Sequence, residues 1–218
     1  MKKYKAAIFD VDGTLLDTTE GVLASVKYTI KEAGLPEIDR ETLLTFIGPP
    51  VQDSFVRIYK VSVERAQELA TIFRNRYKDY ELLKAKAYEG IYDVMEELKS
   101  KNISIAVATY KRQDYALTIL QHFHFDKYSD ILYGADHENK LKKKDIIMLC
   151  MKDMGITDSS DVVMIGDSSH DAKGANELGM DFIGVTYGFE FRTKEDVFKY
   201  PAIGYADTPI EINKYIVD

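Results

Sequence analysis

Short apolar runs alternate with longer segments of helical periodicity along most of the chain. Each apolar run predicts a buried strand, and the runs cover residues 6–9, 103–108, 130–133, 162–165, 182–185 and 203–205. Helices are predicted in the segments between and after them, over residues 88–99, 112–123, 143–154, 170–178, 193–199 and 209–217. Strands that alternate with helices predict an α/β fold with a mostly parallel sheet and helices on both faces.

The first two predicted strands are about ninety residues apart. A parallel crossover needs only about a dozen residues, and the helix predicted over 88–99 already provides one. The segment 18–82 is therefore surplus, and nearly all of it has a helical pattern. We predict a Rossmann-like α/β core formed by residues 1–17 and 83–218, with an α-helical cap domain inserted as residues 18–82.

Polar side chains follow several of the predicted strands at their carboxyl ends. The sequences concerned are Asp10-Val11-Asp12-Gly13 after the first strand, Thr109-Tyr110-Lys111 after the second, Gly166-Asp167-Ser168-Ser169-His170-Asp171 after the fourth, and Lys142-Lys143-Lys144 at the start of a helix. The carboxyl ends of parallel strands meet at one edge of the sheet, where open α/β sheets bind ligands. Although Asp and Gly are also common in plain turns, this recurrence predicts a site at that edge.

Charge and composition restrict the partners of such a site. The formal net charge is −7, which argues against a nucleic-acid polymer as a partner because phosphate backbones require a basic surface. The single cysteine, Cys150, lies in an apolar run and is predicted to be a core thiol. No stretch is long and apolar enough to cross a membrane, and the first residues lack the apolar core of a signal peptide. We therefore expect a cytoplasmic protein without a membrane partner.

Several carboxylates that face one cleft repel one another unless a cation is present. A site with oxygen ligands alone suits Mg²⁺, which readily takes a phosphate oxygen as a further ligand. An aspartate can attack phosphorus to give an aspartyl-phosphate, and a second carboxylate can exchange protons with the leaving oxygen and with water. These residue types together predict phosphoryl transfer.

The same residues resemble a known family. Asp10-Val11-Asp12-Gly13-Thr14, Thr109, Lys143 and Gly166-Asp167-x-x-x-Asp171 are similar, in order, to the four motifs of the haloacid dehalogenase superfamily of phosphotransferases. Within it, Phe46-Ile47-Gly48-Pro49-Pro50 and Val185-Thr186-Tyr187-Gly188-Phe189 resemble segments of phosphoglycolate phosphatase-like and 5′-nucleotidase-like members, which carry a helical cap.

The resemblance implies a role for each residue of the predicted site. Asp10 would be the nucleophile and Asp12 the general acid and base. The predicted phosphate-binding residues are Gly13, Thr109, Tyr110 and Lys143. The predicted Mg²⁺ ligands are Asp10, Asp12 through its backbone carbonyl, Asp167 and, in support, Asp171. Because three lysines occur in succession, Lys142 and Lys144 remain alternatives to Lys143.

The predicted function is that of a Mg²⁺-dependent phosphatase, a phosphoric monoester hydrolase whose partner is a small phosphorylated metabolite. Phosphoglycolate and a nucleoside monophosphate are the leading substrates. The alternatives are a sugar-phosphate mutase of the same fold and a non-catalytic binding protein on this fold. A dehalogenase is disfavoured because Asp12 supplies the second acid that phosphoryl transfer needs. The protein is expected to be a monomer or a homodimer.

Overall fold

A computed structural model describes residues 3–136 and 140–217. The chain divides into two compact units, one formed by Met1–Leu16 with Ala87–Asp218 and the other by Asp17–Lys86. These boundaries lie within a few residues of the divisions proposed from the sequence. The assignment of a catalytic core and a cap to the two units stays a prediction.

The first unit is built around a six-stranded sheet in the order β5-β4-β1-β6-β7-β8, in which every pair of neighbours is parallel. Its strands are β1 (Ala6–Phe9), β4 (Ser104–Arg112), β5 (Leu132–Ala135), β6 (Val162–Gly166), β7 (Asp181–Val185) and β8 (Gly204–Ala206). Its helices are α5 (Ile91–Ser100), α6 (Gln113–His122), α7 (Lys143–Asp153), α8 (Ser169–Glu177), α9 (Lys194–Val197) and α10 (Asn213–Ile216). The predicted α/β class is confirmed.

Burial explains why the central strands read as continuous apolar runs. The strand β1 lies between β4 and β6, and all four of its residues are fully buried. Side chains alternate between the two faces of a strand, so Ala6 and Ile8 pack with residues of α7 and α8 on one face of the sheet. A strand covered on both faces has no polar positions to alternate with apolar ones.

The second unit, Asp17–Lys86, is helical, as its pattern predicted. It contains α1 (Thr19–Glu32), α2 (Arg40–Leu44), α3 (Val51–Tyr59), α4 (Val63–Arg76) and a π-helical turn (Tyr77–Glu81). The helical pattern of the sequence runs on from residue 63 to about residue 83 and predicts a single long helix there. This prediction is wrong at the carboxyl end, where the π-helical turn follows α4. There the buried Glu81 carboxylate forms ion pairs with Arg76 and with Lys84, whose Nζ lies 2.7 Å from Glu81 Oε2.

Two features of the first unit differ from the expected pattern. Two-residue strands, β2 (Leu16–Asp17) and β3 (Lys86–Ala87), pair with each other at the unit boundaries, and they are too short to give a periodic signal. The strand β4 runs to Arg112 rather than ending at residue 108, with a register shift against β5 between Ala108 and Arg112.

Among the described residues, no helix combines the length and the apolar character needed to cross a lipid bilayer.

Candidate active site

The turn that follows β1 places two acidic side chains at the carboxyl edge of the sheet. The Asp10 amide donates to the Ile165 carbonyl oxygen at 3.0 Å, which continues the pairing of β1 with β6. Beyond it, the amides of Leu15 and Leu16 both donate to the Val11 carbonyl at 3.0 Å and close a tight turn. Asp10 and Asp12 are thereby held 5% and 6% exposed.

Gly13 allows this turn to approach a second strand end. Its φ is +80°, a left-handed conformation that residues with a Cβ rarely adopt. An ideal Cβ placed on Gly13 would also lie 2.1 Å from Asp167 Oδ2. Both the turn and the close packing against the Asp167 carboxylate therefore require glycine here.

Replacing Gly13 with alanine is expected to destabilise the protein more than the same change at Gly179. Both glycines have positive φ, which costs an alanine about 1–2 kcal/mol, but nothing lies within 4 Å of a Cβ on Gly179. The clash with Asp167 should add about 1–3 kcal/mol at Gly13 alone. Chemical denaturation of both variants measures the difference, and equal losses would contradict the proposed close packing.

Three buried carboxylates form one cluster at this edge. Asp167 follows β6, Asp171 lies in the first turn of α8, and each offers an oxygen within 4.8 Å of the others and of Asp10. Asp167 is 3% exposed and Asp171 is fully buried. The Asp171 Oδ2 atom accepts a hydrogen bond from Ser168 Oγ at 2.6 Å, which fixes its orientation.

The environment of this cluster favours protonation or a cation. Burial is the main cause that raises the pKa of Asp10 to about 7, and the charges of Asp171 and Asp12 add to it against the opposing effect of Lys143. Burial, followed by the charges of Asp171 and Asp10, also holds the pKa of Asp167 well above its usual range. A bound divalent cation would relieve both penalties.

Lys143, the first residue of α7, partly compensates the negative charge of the cluster. Its Nζ lies 2.9 Å from Asp10 Oδ1 and 2.7 Å from Asp171 Oδ1, and it donates to the Ala108 carbonyl at 3.0 Å. Burial opposes its charge, but the attraction of Asp10 and of Asp171 outweighs that effect, so its pKa is raised. Lys143 is therefore cationic in this site.

The neighbouring lysines do not reach the cluster. The Lys144 Nζ pairs with Glu177 Oε2 at 2.9 Å on the surface, and Lys142 is exposed. Of the three candidates in the sequence, only Lys143 contacts the carboxylates.

The resemblance implies that Lys143 binds the transferred phosphoryl group. On that expectation Lys143→Met should reduce kcat by about 10²-fold or more, because a buried cation in this role contributes several kcal/mol to stabilisation of the transferred group. Lys144→Met, which removes the adjacent charge on the surface, should retain activity near that of the unaltered protein. Steady-state phosphate release by the two variants tests this, and similar losses in both would contradict a specific role for Lys143.

The predicted phosphate-binding residues Thr109 and Tyr110 lie within β4. Thr109 is 1% exposed, and its Oγ1 accepts a hydrogen bond from the Lys111 amide at 3.1 Å. The Tyr110 hydroxyl oxygen accepts a hydrogen bond from the Lys143 amide at 3.0 Å, and its ring packs against His170 at 5.1 Å between centroids. Tyr110 thus positions the start of α7.

Two further contributions were missed in the sequence. The Lys111 Nζ lies 3.1 Å from Asp12 Oδ1, and the Phe189 amide, in the loop after β7, donates to Asp167 Oδ2 at 2.5 Å. Lys111 stands directly after Thr109-Tyr110 at the same predicted strand end, so a search for a cation to balance Asp12 could have found it. Phe189 takes part through its backbone, which carries no residue-type signal.

The donor set fits Mg²⁺. Within residues 3–136 and 140–217, Asp10, Asp167 and Asp171 form the only group of three or more acidic, cysteine or histidine side chains close enough to share an ion. All their donors are oxygens, which hard divalent cations prefer.

The comparison with known proteins decides the family. Residues 7–185 match the model of the haloacid dehalogenase-like hydrolases. The chain belongs to this family. It is 34% identical over 188 residues to a 5′-nucleotidase of Pseudomonas aeruginosa, covering 86% of this chain and 85% of that protein. It is 28% identical over 186 residues to the pyrophosphatase PpaX of Halalkalibacterium halodurans, covering 85% of each.

A solved structure supports the same assignment. The crystal structure of a predicted phosphatase from Clostridium acetobutylicum superposes with a TM-score of 0.91 and 33% identity, covering 98% of both chains. These findings confirm the predicted superfamily, the α/β fold and the class of phosphatase-type hydrolase for this haloacid dehalogenase-like protein.

Proposed function

We propose that the protein is a Mg²⁺-dependent phosphatase that hydrolyses a small phosphomonoester through an aspartyl-phosphate on Asp10. The observation that carries this proposal is the convergence of Asp10, Asp167 and Asp171 with the Lys143 ammonium in one buried cluster. Carboxylates and one cation of this kind serve little purpose in a surface binding site, whereas phosphoryl transfer uses each of them.

The reaction follows from these side chains. An Asp10 carboxylate oxygen forms a bond to phosphorus while the bond from phosphorus to the leaving oxygen breaks, and Asp12 gives its proton to that oxygen. A water oxygen then bonds to phosphorus, its proton passes to Asp12, and the bond to Asp10 breaks. The net reaction consumes one phosphomonoester and one water and yields an alcohol and inorganic phosphate.

The surrounding residues position the group that is transferred. Lys143 and Thr109 would bind the phosphoryl oxygens, and the backbone amides of the turn at Gly13 would assist. Asp10, Asp167 and Asp171, with the Asp12 backbone carbonyl, would hold Mg²⁺. When bound, Mg²⁺ would neutralise the carboxylates and polarise the phosphoryl group.

The leading substrates are phosphoglycolate and a nucleoside monophosphate. The similarity to the 5′-nucleotidase of P. aeruginosa favours a nucleoside monophosphate. The similarity to the pyrophosphatase PpaX adds pyrophosphate as a third candidate. A mutase of the same fold would return the phosphoryl group to a sugar, and a binding protein would not turn over at all.

A screen for phosphate release over common phosphorylated metabolites, with and without Mg²⁺, tests the proposal. We expect Mg²⁺-dependent release from at least one small phosphomonoester. Formation of an isomeric sugar phosphate without free phosphate would favour the mutase. Ligand binding without turnover across the panel would favour the binding protein.

A further inference from the structure

The ion pair between Lys111 and Asp12 is buried. The Lys111 Nζ lies 3.1 Å from Asp12 Oδ1, and the two side chains are 6% and 9% exposed. Removing an ammonium group from water costs several kcal/mol unless a charged partner compensates it. The Lys111 side chain is therefore held against the Asp12 carboxylate rather than resting there as a mobile surface group.

The backbone around Lys111 directs its side chain inward. The register of β4 against β5 shifts between Ala108 and Arg112, and irregularities of this kind re-aim side chains beside active sites. The Lys111 amide donates to Thr109 Oγ1 at 3.1 Å. An ideal Cβ on Gly134 would lie 2.4 Å from the Lys111 carbonyl oxygen, so β5 approaches this segment closely only because residue 134 is glycine.

Lys143 has a different task in the same site. Its Nζ contacts Asp10, Asp171 and the Ala108 carbonyl, which together match the three protons of an ammonium group. The two buried lysines therefore divide the two acids of the first motif between them, with Lys143 at Asp10 and Lys111 at Asp12.

We propose that Lys111 is a positioning residue that holds Asp12 by its Oδ1 atom, so that Oδ2 is the oxygen that carries the proton exchanged with the leaving oxygen. This inference rests on the proposed phosphatase function. It adds a residue that acts through Asp12 and leaves the roles of Asp10 and Lys143 unchanged.

A positioning role for Lys111 predicts that its effect depends on the leaving group. A leaving oxygen of high basicity needs the proton of Asp12 as the bond to phosphorus breaks, whereas a stable anion such as p-nitrophenolate departs without it. The parameter kcat/KM reports the steps up to that bond cleavage, and it excludes the later hydrolysis of the aspartyl-phosphate, which is common to all substrates.

The experiment compares Lys111→Met with the unaltered protein on a series of substituted phenyl phosphates of similar size. We expect kcat/KM to fall about 10²-fold for phenyl phosphate, in the range that general acid catalysis contributes, and less than 10-fold for p-nitrophenyl phosphate. Lys111→Arg, which keeps the charge, should recover part of the loss. Lys199→Met, which removes an exposed lysine paired with Asp196, should change neither value.

A double-mutant comparison provides the second measurement. In the background of Asp12→Asn, Lys111→Met should cause no further loss of kcat/KM, because residues that act as a unit are not additive. If Lys111→Met folds poorly, the same comparison is made with Lys111→Arg, alone and in the background of Asp12→Asn.

Distinct results would overturn the inference and the proposed function. A loss that is equal for all leaving groups, or additive with Asp12→Asn, would show that Lys111 binds the transferred phosphoryl group and would overturn the inference alone. An unaltered protein that releases no phosphate from any substrate would overturn the proposed function, and the inference with it.

Discussion

Replacing Asp10 with asparagine is expected to lower kcat by about 10⁴-fold or more while the fold is kept. Asparagine has nearly the same shape, but its amide cannot form the covalent bond to phosphorus. The turn around Val11 is held by backbone hydrogen bonds that this change does not touch. Steady-state phosphate release measures the loss, and acid-quenched protein should carry labelled phosphate only when residue 10 is aspartate.

The same substitution should change the pH dependence of stability when divalent cations are removed. Burial raises the pKa of Asp10 from its ordinary value of 3.8 to about 7 in the native state, so the native state binds this proton more tightly than the unfolded chain. The free energy of unfolding therefore falls as the pH rises from about 4 to about 7 and stays reduced above that. Asparagine has no such proton to lose.

Thermal unfolding in a chelator checks the sign. The melting temperature of Asp10→Asn minus that of the unaltered protein should be larger, in favour of the variant, at pH 8 than at pH 5. Asp161→Asn is the control and should retain activity. Asp161 forms an ion pair with Lys5, which is exposed. Turnover by Asp10→Asn above about one per cent of the normal rate would disprove the nucleophile assignment, since a residue that forms the covalent intermediate cannot be dispensable.

Much of the sheet could be predicted because its strands are buried on both faces. The run at 6–9 is continuous and apolar for that reason, and β1 matches it residue for residue. In contrast, β4 extends four residues past the predicted end of its run. Three of them, Thr109, Tyr110 and Lys111, belong to the site, and Arg112 pairs with Asp114. Because all four carry polar groups, the hydrophobic pattern could not mark them as strand.

The choice among the three lysines was only partly accessible to helix periodicity. The helix α7 begins at Lys143, and this residue shares one buried face with Ile146, Ile147 and Cys150 at spacings of three, four and seven. Lys144 is likewise three and seven residues before the buried Ile147 and Met151, but four residues before Met148, which is exposed. Because residues 146–151 are all apolar, the pattern alone did not separate these two lysines.

The sequence offered Lys111 as a candidate cation at a strand end, but it did not predict which carboxylate this side chain pairs with. Lys111 and Asp12 lie about a hundred residues apart in the chain, and Lys111 lies in a stretch of β4 whose register against β5 is irregular. Local periodicity describes which face of an element is buried. It does not describe which atoms of two elements meet across the sheet edge.

Removing divalent cations is expected to abolish turnover and to lower the melting temperature, because Asp10, Asp167 and Asp171 are then left buried without their counter-ion. Addition of Mg²⁺ should reverse both effects. A ligand that binds only the native state stabilises it more as the ligand concentration rises. The gain reaches about 2.7 kcal/mol when that concentration is one hundred times the dissociation constant of the ligand. Asp167→Asn should lose most of this gain, whereas Glu177→Gln, which alters a surface acid paired with Lys144, should keep it.

Mg²⁺ affinity should also fall as the pH is lowered. Asp10 has a native pKa of about 7 in the absence of metal, and carboxylate ligands must be deprotonated to bind. Below that value each binding event displaces at least one proton, since the pKa of Asp167 is raised as well, so the apparent dissociation constant should rise by at least about 10-fold per pH unit. Calorimetric titration at pH 5, 6, 7 and 8 measures this slope. An affinity that does not vary between pH 5 and 7 would contradict binding at this carboxylate cluster, because no proton would then be exchanged for the ion.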